Sequence, residues 1–335
     1  MAETSTKNGV ACRDIRAALK EAIVRLRAAK VPSHTLAAEL LLMHALGRGR
    51  TWIYTHPEAQ LQPAEVKKYL SLVTRRVAGE PTQYITGKQE FWGLAFEVTP
   101  AVLIPRPETE HVIEVALDRL GARGIKIRLD TGGPSEPLRV ADIGTGSGCL
   151  AVALAHELPH AEIVAVDISA GALEVARRNA ARHGLAGHIH FVQCDLLEIF
   201  LTSSVAGRAQ AGSNLPEMFD LIVSNPPYVG YNEATTLPRE VLEHEPHAAL
   251  FGGATGAEIY ERLIGQADFL LRARGILVLE LGYNSADHVL GILRAQPCWA
   301  NINVMNDLAG IPRVIVAEHI GAGSAGSHGI DRNAD

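Results

Sequence analysis

Four polar residues stand at the carboxyl ends of four apolar runs, and their types point to chemistry. Asp142 lies within Val140-Ala141-Asp142-Ile143-Gly144-Thr145-Gly146-Ser147-Gly148-Cys149, Asp167 follows Ile163 to Val166, and Asp195 follows Ile189 to Val192 within Cys194-Asp195-Leu196. Asn225 closes Phe219-Asp220-Leu221-Ile222-Val223-Ser224 and opens Asn225-Pro226-Pro227-Tyr228. The apolar run suits a buried parallel strand, and the prolines end it because they cannot donate to a ladder. Asn225 therefore falls where open α/β sheets place their ligands. Taken alone, the tetrapeptide also describes a strand followed by a stiff turn.

The glycines at 144, 146 and 148 let a ligand approach the backbone, since glycine carries no Cβ to collide with it. A dinucleotide fingerprint would space them as G-x-G-x-x-G, but position 149 is Cys. The observed spacing suits a ligand without phosphate. Asp142 agrees, because a carboxylate repels phosphate and attracts an ammonium group. S-adenosyl-L-methionine meets both conditions, with Thr145 and Ser147 completing the loop. Asp167 stands 19 residues beyond Gly148, where an acid can accept both hydroxyl protons of a ribose. Asp195 can accept from an adenine amino group while Leu196 packs on the ring. Each acid alone is more often a cap or a turn residue, but three at consecutive strand ends point to one ligand.

These side chains need a sheet to hold them. Strands are expected at Leu138–Ile143, Ile163–Val166, Ile189–Val192, Phe219–Val223 and Gly275–Leu281, with an antiparallel pair at Ile302–Met305 and Arg313–Ala317. Helices at Cys149–Glu157, Ala170–His183, Ala257–Ala273 and Ser285–Ala295 give the βαβ rhythm of a doubly wound α/β fold. Before it, apolar residues at helical spacing predict helices over Asp14–Lys30, from Pro32 to Gly47 and over Pro63–Val77, with Trp52 and Tyr54 in the second connection. The organisation expected is a disordered leader over 1–10, a helical domain over 11–82, a β-hairpin linker over 83–106, the α/β domain over 107–320 and a disordered tail over 321–335. The 121–137 loop and the Ser/Gly/Ala-rich 202–216 segment read as insertions. The basic residues of the first domain, among them Arg13, Lys67, Lys68, Arg75 and Arg76, read as a solvated face or a partner surface.

Composition excludes several classes. The chain has 335 residues, 47% hydrophobic and 20% charged, and no apolar run reaches the roughly 20 residues that span a bilayer. No secretory or transit signal is evident, so the cytoplasm is the expected compartment and no membrane partner is expected. Cys12, Cys149, Cys194 and Cys298 lack metal-site spacing, so no metal is expected. A net charge of −6 argues against an extensive duplex-binding face. A monomer is the default.

The motifs Gly79-Glu80-Pro81-Thr82-Gln83-Tyr84-Ile85-Thr86-Gly87, Glu90-Phe91-Trp92-Gly93-Leu94, Leu103-Ile104-Pro105-Arg106-Pro107-Glu108-Thr109-Glu110, Asn225-Pro226-Pro227-Tyr228 and Glu245-Pro246 resemble those of the HemK/PrmC-type release factor glutamine methyltransferases. The resemblance covers roughly residues 11–319 and departs at the two insertions and the tail. It implies a class I S-adenosyl-L-methionine-dependent methyltransferase fold, Rossmann-like with a seven-stranded, mostly parallel sheet. It also implies methyl transfer to the side-chain amide nitrogen (N5) of the glutamine in the Gly-Gly-Gln motif of peptide chain release factors, rather than to nucleic acid.

The residues agree with that reaction. An amide nitrogen is a poor nucleophile because its lone pair is delocalised into the carbonyl. The Asn225 side-chain oxygen and the Pro226 carbonyl can each accept one amide hydrogen and stabilise positive charge developing on nitrogen. Pro226 and Pro227 stiffen that turn, and Tyr228 can pack on the planar amide. Asn225 also falls beside the cofactor site. No strong base is needed at position 225. An adenine or guanine N-methyltransferase could use the same turn, but would have to extrude its base.

Overall fold

The computed structural model describes residues 13–123, 137–201 and 219–321. The 1–10 leader, the 202–216 insertion and nearly all of the 121–137 loop and the tail lie outside the described residues. The chain divides into two compact units, one reaching Lys88 and including Pro238–His244, the other comprising Gln89–Leu237 and Glu245 onward.

The first unit is built on three helices, Ile15–Ala28, His34–Leu46 and Pro63–Val77. Asp14 caps the first, its Oδ1 accepting from the Ala17 N–H at 2.7 Å, and Ile15, Ala18, Ala22 and Leu26 form the buried stripe. Gly47, at φ 64°, ends the second. Glu65 reaches back to the Gln62 N–H at 2.8 Å to start the third. Trp52 and Tyr54 lie on a further short helix, Arg50–Thr55.

Two expectations need correction here. Thr82–Thr86 is helical, not part of a hairpin. Pro81 precedes it, Gly87 ends it at φ 70°, and Ile85 belongs to the core of this unit, so packing overrides the β preference of Tyr-Ile-Thr. Arg76 is buried rather than solvated. Its guanidinium pairs with Glu240 and donates to the Gly79 and Glu80 carbonyls, which joins the short helix Arg239–His244 to this unit.

The hairpin itself is Lys88–Phe91 with Leu94–Glu97. Trp92 and Gly93 turn it with φ of 54° and 68°, the backbone of a type I′ turn. Glu110 accepts the Trp92 N–H at 2.7 Å.

The second unit holds a seven-stranded sheet whose strands are β1 (Arg139–Ile143), β2 (Glu162–Asp167), β3 (Ile189–Gln193), β4 (Phe219–Ser224), β5 (Leu271–Glu280), β6 (Trp299–Asn306) and β7 (Pro312–His319). Their spatial order is β6-β7-β5-β4-β1-β2-β3. β3 to β5 run parallel through β2, β1 and β4, and β7 pairs antiparallel with both β5 and β6. Side chains alternate between the two faces. Val140, Leu221 and Val223 enter one apolar layer, Ala141, Ile143 and Ile222 the other. Helices Cys149–Glu157 and Ala170–Arg182 form where the sequence pattern puts them. Strand order reverses between β1 and β4, and a ligand crevice is expected at the carboxyl ends there.

Candidate active site

The loop after β1 turns on Gly144, Gly146 and Gly148, with φ of 71°, 55° and 81°. A Cβ on Gly148 would stand 3.0 Å from the Ala176 Cβ and 3.2 Å from its Cα. Gly148 thus performs the helix-packing role that the dinucleotide fingerprint gives to a glycine one position later. Gly148→Ala must force a left-handed backbone and move the helix Ala170–Arg182. A loss of roughly 2–4 kcal/mol is expected, read as a lower melting temperature.

Asp142 supports this loop from below. It is fully buried, and its Oδ2 accepts from the Thr145 hydroxyl at 2.6 Å and the Ala151 N–H at 3.1 Å, while Oδ1 has no hydrogen-bond partner. It does not line the cavity, so an attraction to a cationic ligand acts from beneath the loop rather than by contact. Burial, opposed by those two hydrogen bonds, pushes its carboxyl up to about 7. An acid whose pKa rises on folding binds more protons folded than unfolded, so its contribution to stability is lost as pH climbs from about 4 to about 7. Without cofactor, the melting temperature of Asp142→Asn should fall less than that of the wild type between pH 5 and pH 8. Parallel curves would count against it.

Asp167, at the end of β2, uses both oxygens. The Gly146 N–H donates to Oδ2 and the Ser169 N–H to Oδ1, each at 2.9 Å. Burial nevertheless raises its carboxyl above the usual range. Asp195 follows β3, its Oδ2 held by Arg262 at 2.7 Å, and Leu196 beside it adopts φ 48°. Asn179 clamps the loop from behind. Its amide donates to the Ser147 and Glu97 carbonyls, each at 2.9 Å, and accepts the Glu97 N–H at 2.7 Å.

Gly144, Thr145, Gly146, Ser147, Asp167, Asp195, Leu196, Asn225 and Pro227 line one cavity of about 300 Å³. Its apolar walls include Val102, Leu103, Ile168 and Ala248. A nucleoside cation fits such a site: acids at two strand ends, a loop with no Cβ at three positions, and apolar surface for a base. Leu103 and Pro105 are held by a neighbouring anchor, in which the buried Glu245 accepts the Ile104 N–H at 3.2 Å and pairs with Arg106.

Asn225 meets the cavity from the end of β4. Its Nδ2 donates to the Thr109 hydroxyl at 3.0 Å. Behind this pair lies Glu280, a buried acid at the end of β5 whose Oε2 has no hydrogen-bond partner. The Tyr228 hydroxyl donates to Glu280 Oε1 at 3.4 Å. Burial raises the Glu280 carboxyl to about 7. The Tyr228 ring rests on Gly282, where a Cβ would come within 2.6 Å of it. Gly252 backs the turn, a Cβ there falling 2.4 Å from the Pro227 carbonyl oxygen. Neither Pro226 nor Tyr228 lines the cavity.

Thr109, Asn179, Glu280 and Arg262 are the residues that sequence reasoning missed. Two had a signal. Glu280 is one more acid at the end of an apolar strand, and Asn179 interrupts the apolar face of Leu173, Ala176 and Ala180. The cysteines are unpaired among the described residues, and burial pushes the Cys149 thiol up to about 12, so it is no nucleophile. Among the described residues, no helix is long and apolar enough to cross a membrane.

Comparison with known proteins agrees with both halves of this arrangement. The model of the PrmC N-terminal domain matches residues 17–87, and a methyltransferase domain model matches residues 134–295. The release factor glutamine methyltransferase of Koribacter versatilis is 45% identical over 302 residues, covering 90% of this chain and 97% of its own. Its namesake in Nitratidesulfovibrio vulgaris is 41% identical, covering 89% and 93%, and that of Bradyrhizobium diazoefficiens 39%, covering 91% and 95%. With identity of this degree running through both units, the chain belongs to the release factor glutamine methyltransferase family.

Proposed function

We propose that this protein transfers a methyl group from S-adenosyl-L-methionine to the side-chain amide nitrogen of the glutamine in the Gly-Gly-Gln motif of peptide chain release factors. The observation that carries the reading is that Asn225 and Asp167, from the ends of β4 and β2 on either side of β1, share one cavity in a chain of this family. The cofactor supplies an electrophilic methyl group when bound.

The chain's own residues do the rest. Asp167 takes the ribose hydroxyls, Asp195 and Leu196 take the adenine, and the Gly144–Gly148 loop admits the remainder. Asn225 Oδ1 accepts one hydrogen of the glutamine amide and the Pro226 carbonyl the other. The pair holds the nitrogen for in-line attack, and both acceptors gain as positive charge develops. Pro227 stiffens the turn, Tyr228 packs beside it, and the extra proton leaves to solvent. The helical unit over residues 11–82 takes the role of release factor recognition.

The same reading makes the protein a monomer of the cytoplasm that does not methylate nucleic acid. Labelled cofactor should mark one glutamine of a release factor, and replacing that glutamine by alanine should abolish the label. Labelling that persists in the replaced protein would overturn the assignment.

A further inference from the structure

At the amino end of β5, away from the cavity at the carboxyl ends, three side chains of different chemistry converge. Asp268 lies on the helix Glu258–Leu270, Cys298 directly precedes β6, and His319 closes β7. One ligand atom from each, a carboxylate oxygen, Sγ and a ring nitrogen, all lie within 4.8 Å of one another. Asp268 and His319 are 51 positions apart, so no sequence spacing announces the group.

The backbone fixes this arrangement. Trp299 pairs with His319 across the β6–β7 ladder, and the Ile320 N–H donates to the Cys298 carbonyl at 2.8 Å. The Trp299 ring packs edge to face on the imidazole, with centroids 5.4 Å apart. His319 Nδ1 lies 3.3 Å from the Arg272 carbonyl oxygen. A carbonyl only accepts, so Nδ1 carries a hydrogen. That leaves Nε2 aimed at Asp268 Oδ1, 2.9 Å away. A bare Nε2 lone pair there would face a carboxylate that also has only lone pairs. Positive charge is therefore needed between the two, either a second ring proton or a cation. An imidazole whose other nitrogen donates to a carbonyl is the arrangement that orients histidine toward a metal.

We propose that Asp268, Cys298 and His319 form a zinc site that clips the helix Glu258–Leu270 to strands β6 and β7. Thiolate, imidazole and carboxylate together suit Zn²⁺ rather than Mg²⁺ or Ca²⁺, which take oxygen ligands. Ligand atoms around a tetrahedral Zn²⁺ lie roughly 3–4 Å apart, so closure asks for side-chain shifts of about 1 Å. His319 is almost wholly buried, whereas the Asp268 side chain is 32% exposed, which gives the ion a path in and leaves its fourth position to water. Burial pushes the free Cys298 thiol up to about 12, and a bound Zn²⁺ drives its proton off to solvent. Sulfur then binds as thiolate, with no electron transferred. The site lies outside the cavity and stands apart from the methyl-transfer reading.

The test uses the metal-free full chain, with Co²⁺ and Zn²⁺ as probes. Co²⁺ should bind at one ion per chain, with the near-ultraviolet charge-transfer band of a thiolate ligand and the visible bands of a four-coordinate ion. Zn²⁺ should displace it, and Mg²⁺ or Ca²⁺ in large excess should not. Cys298→Ser should lose the charge-transfer band. Asp268→Asn and His319→Gln should each weaken Zn²⁺ binding by at least about 10-fold, the smallest loss expected even of a residue that only supports a ligand. Zn²⁺ should raise the melting temperature of the wild type but not that of Cys298→Ser, because an ion that binds the folded chain stabilises it.

Absence of the charge-transfer band in the wild type would overturn the proposal and leave Asp268 and His319 as an ion pair. So would a band that persists in Cys298→Ser, which would put the ion on another cysteine, or an affinity unchanged in Asp268→Asn. If His319→Gln fails to fold, Asp268→Asn and Cys298→Ser decide the matter, since both of those residues are only partly buried.

Discussion

Asn225→Ala is expected to reduce turnover by about 10³-fold while the cofactor binds nearly as well as in the wild type. Loss of one preorganised group that stabilises charge in a transition state costs on the order of 10²–10³ in rate. Asn225 adds to this the aiming of the nucleophile, which places the effect at the upper end. The residue can be removed without collapse of the turn, because the turn is held by other means. Val229 pairs with Phe251, and the Ser224 hydroxyl donates to the Ile143 carbonyl at 2.7 Å. Cofactor affinity is read by calorimetry and turnover by methyl transfer to release factor. If both fell together, Asn225 would belong to cofactor binding instead.

Asp167→Ala has the complementary profile. The carboxylate would lose two charge-assisted hydrogen bonds to a ribose, each worth about 1.5–3 kcal/mol, so cofactor affinity should fall at least 10²-fold. The substitution also strands the N–H groups of Gly146 and Ser169, which Asp167 now accepts, and loosens the loop that the cofactor needs. At saturating cofactor, kcat should stay within a few-fold of the wild type, because Asp167 makes no contact with the glutamine amide in this account. Asp167→Asn retains one acceptor and should fall between the two. A drop in kcat without a change in cofactor affinity would contradict the assignment.

The parts of this site that were legible in the sequence share a local signature. An apolar run ending in an acid or in Asn-Pro-Pro marks a strand end, and Gly144 to Gly148 marks the turn, because alternation, proline and glycine act over a few residues. The strand pattern therefore placed Asp167, Asp195 and Asn225 at one cavity. What escaped was set by contacts across the fold. Thr109 reaches Asn225 over 116 positions, and Asn179 reaches Glu97 over 82. No periodicity carries that information.

The same holds for the errors. Tyr84 to Thr86 have strand-forming side chains but coil into a helix because Ile85 is drawn into an apolar core. Arg76 sits in a run of basic residues that reads as solvated, yet its partner Glu240 lies 164 positions away. Asp142 was legible as an acid of the right type at the right strand, but its burial beneath the loop was not. Burial depends on the register of the whole sheet, where Asp142 faces Ala165 and Val223 on its two neighbours.

The most direct test of the central claim is to incubate the protein with labelled S-adenosyl-L-methionine and, in separate reactions, a release factor and duplex DNA, and then to map the label. Label is expected on the side-chain amide of the Gly-Gly-Gln glutamine and none on DNA. Label on DNA alone would contradict it.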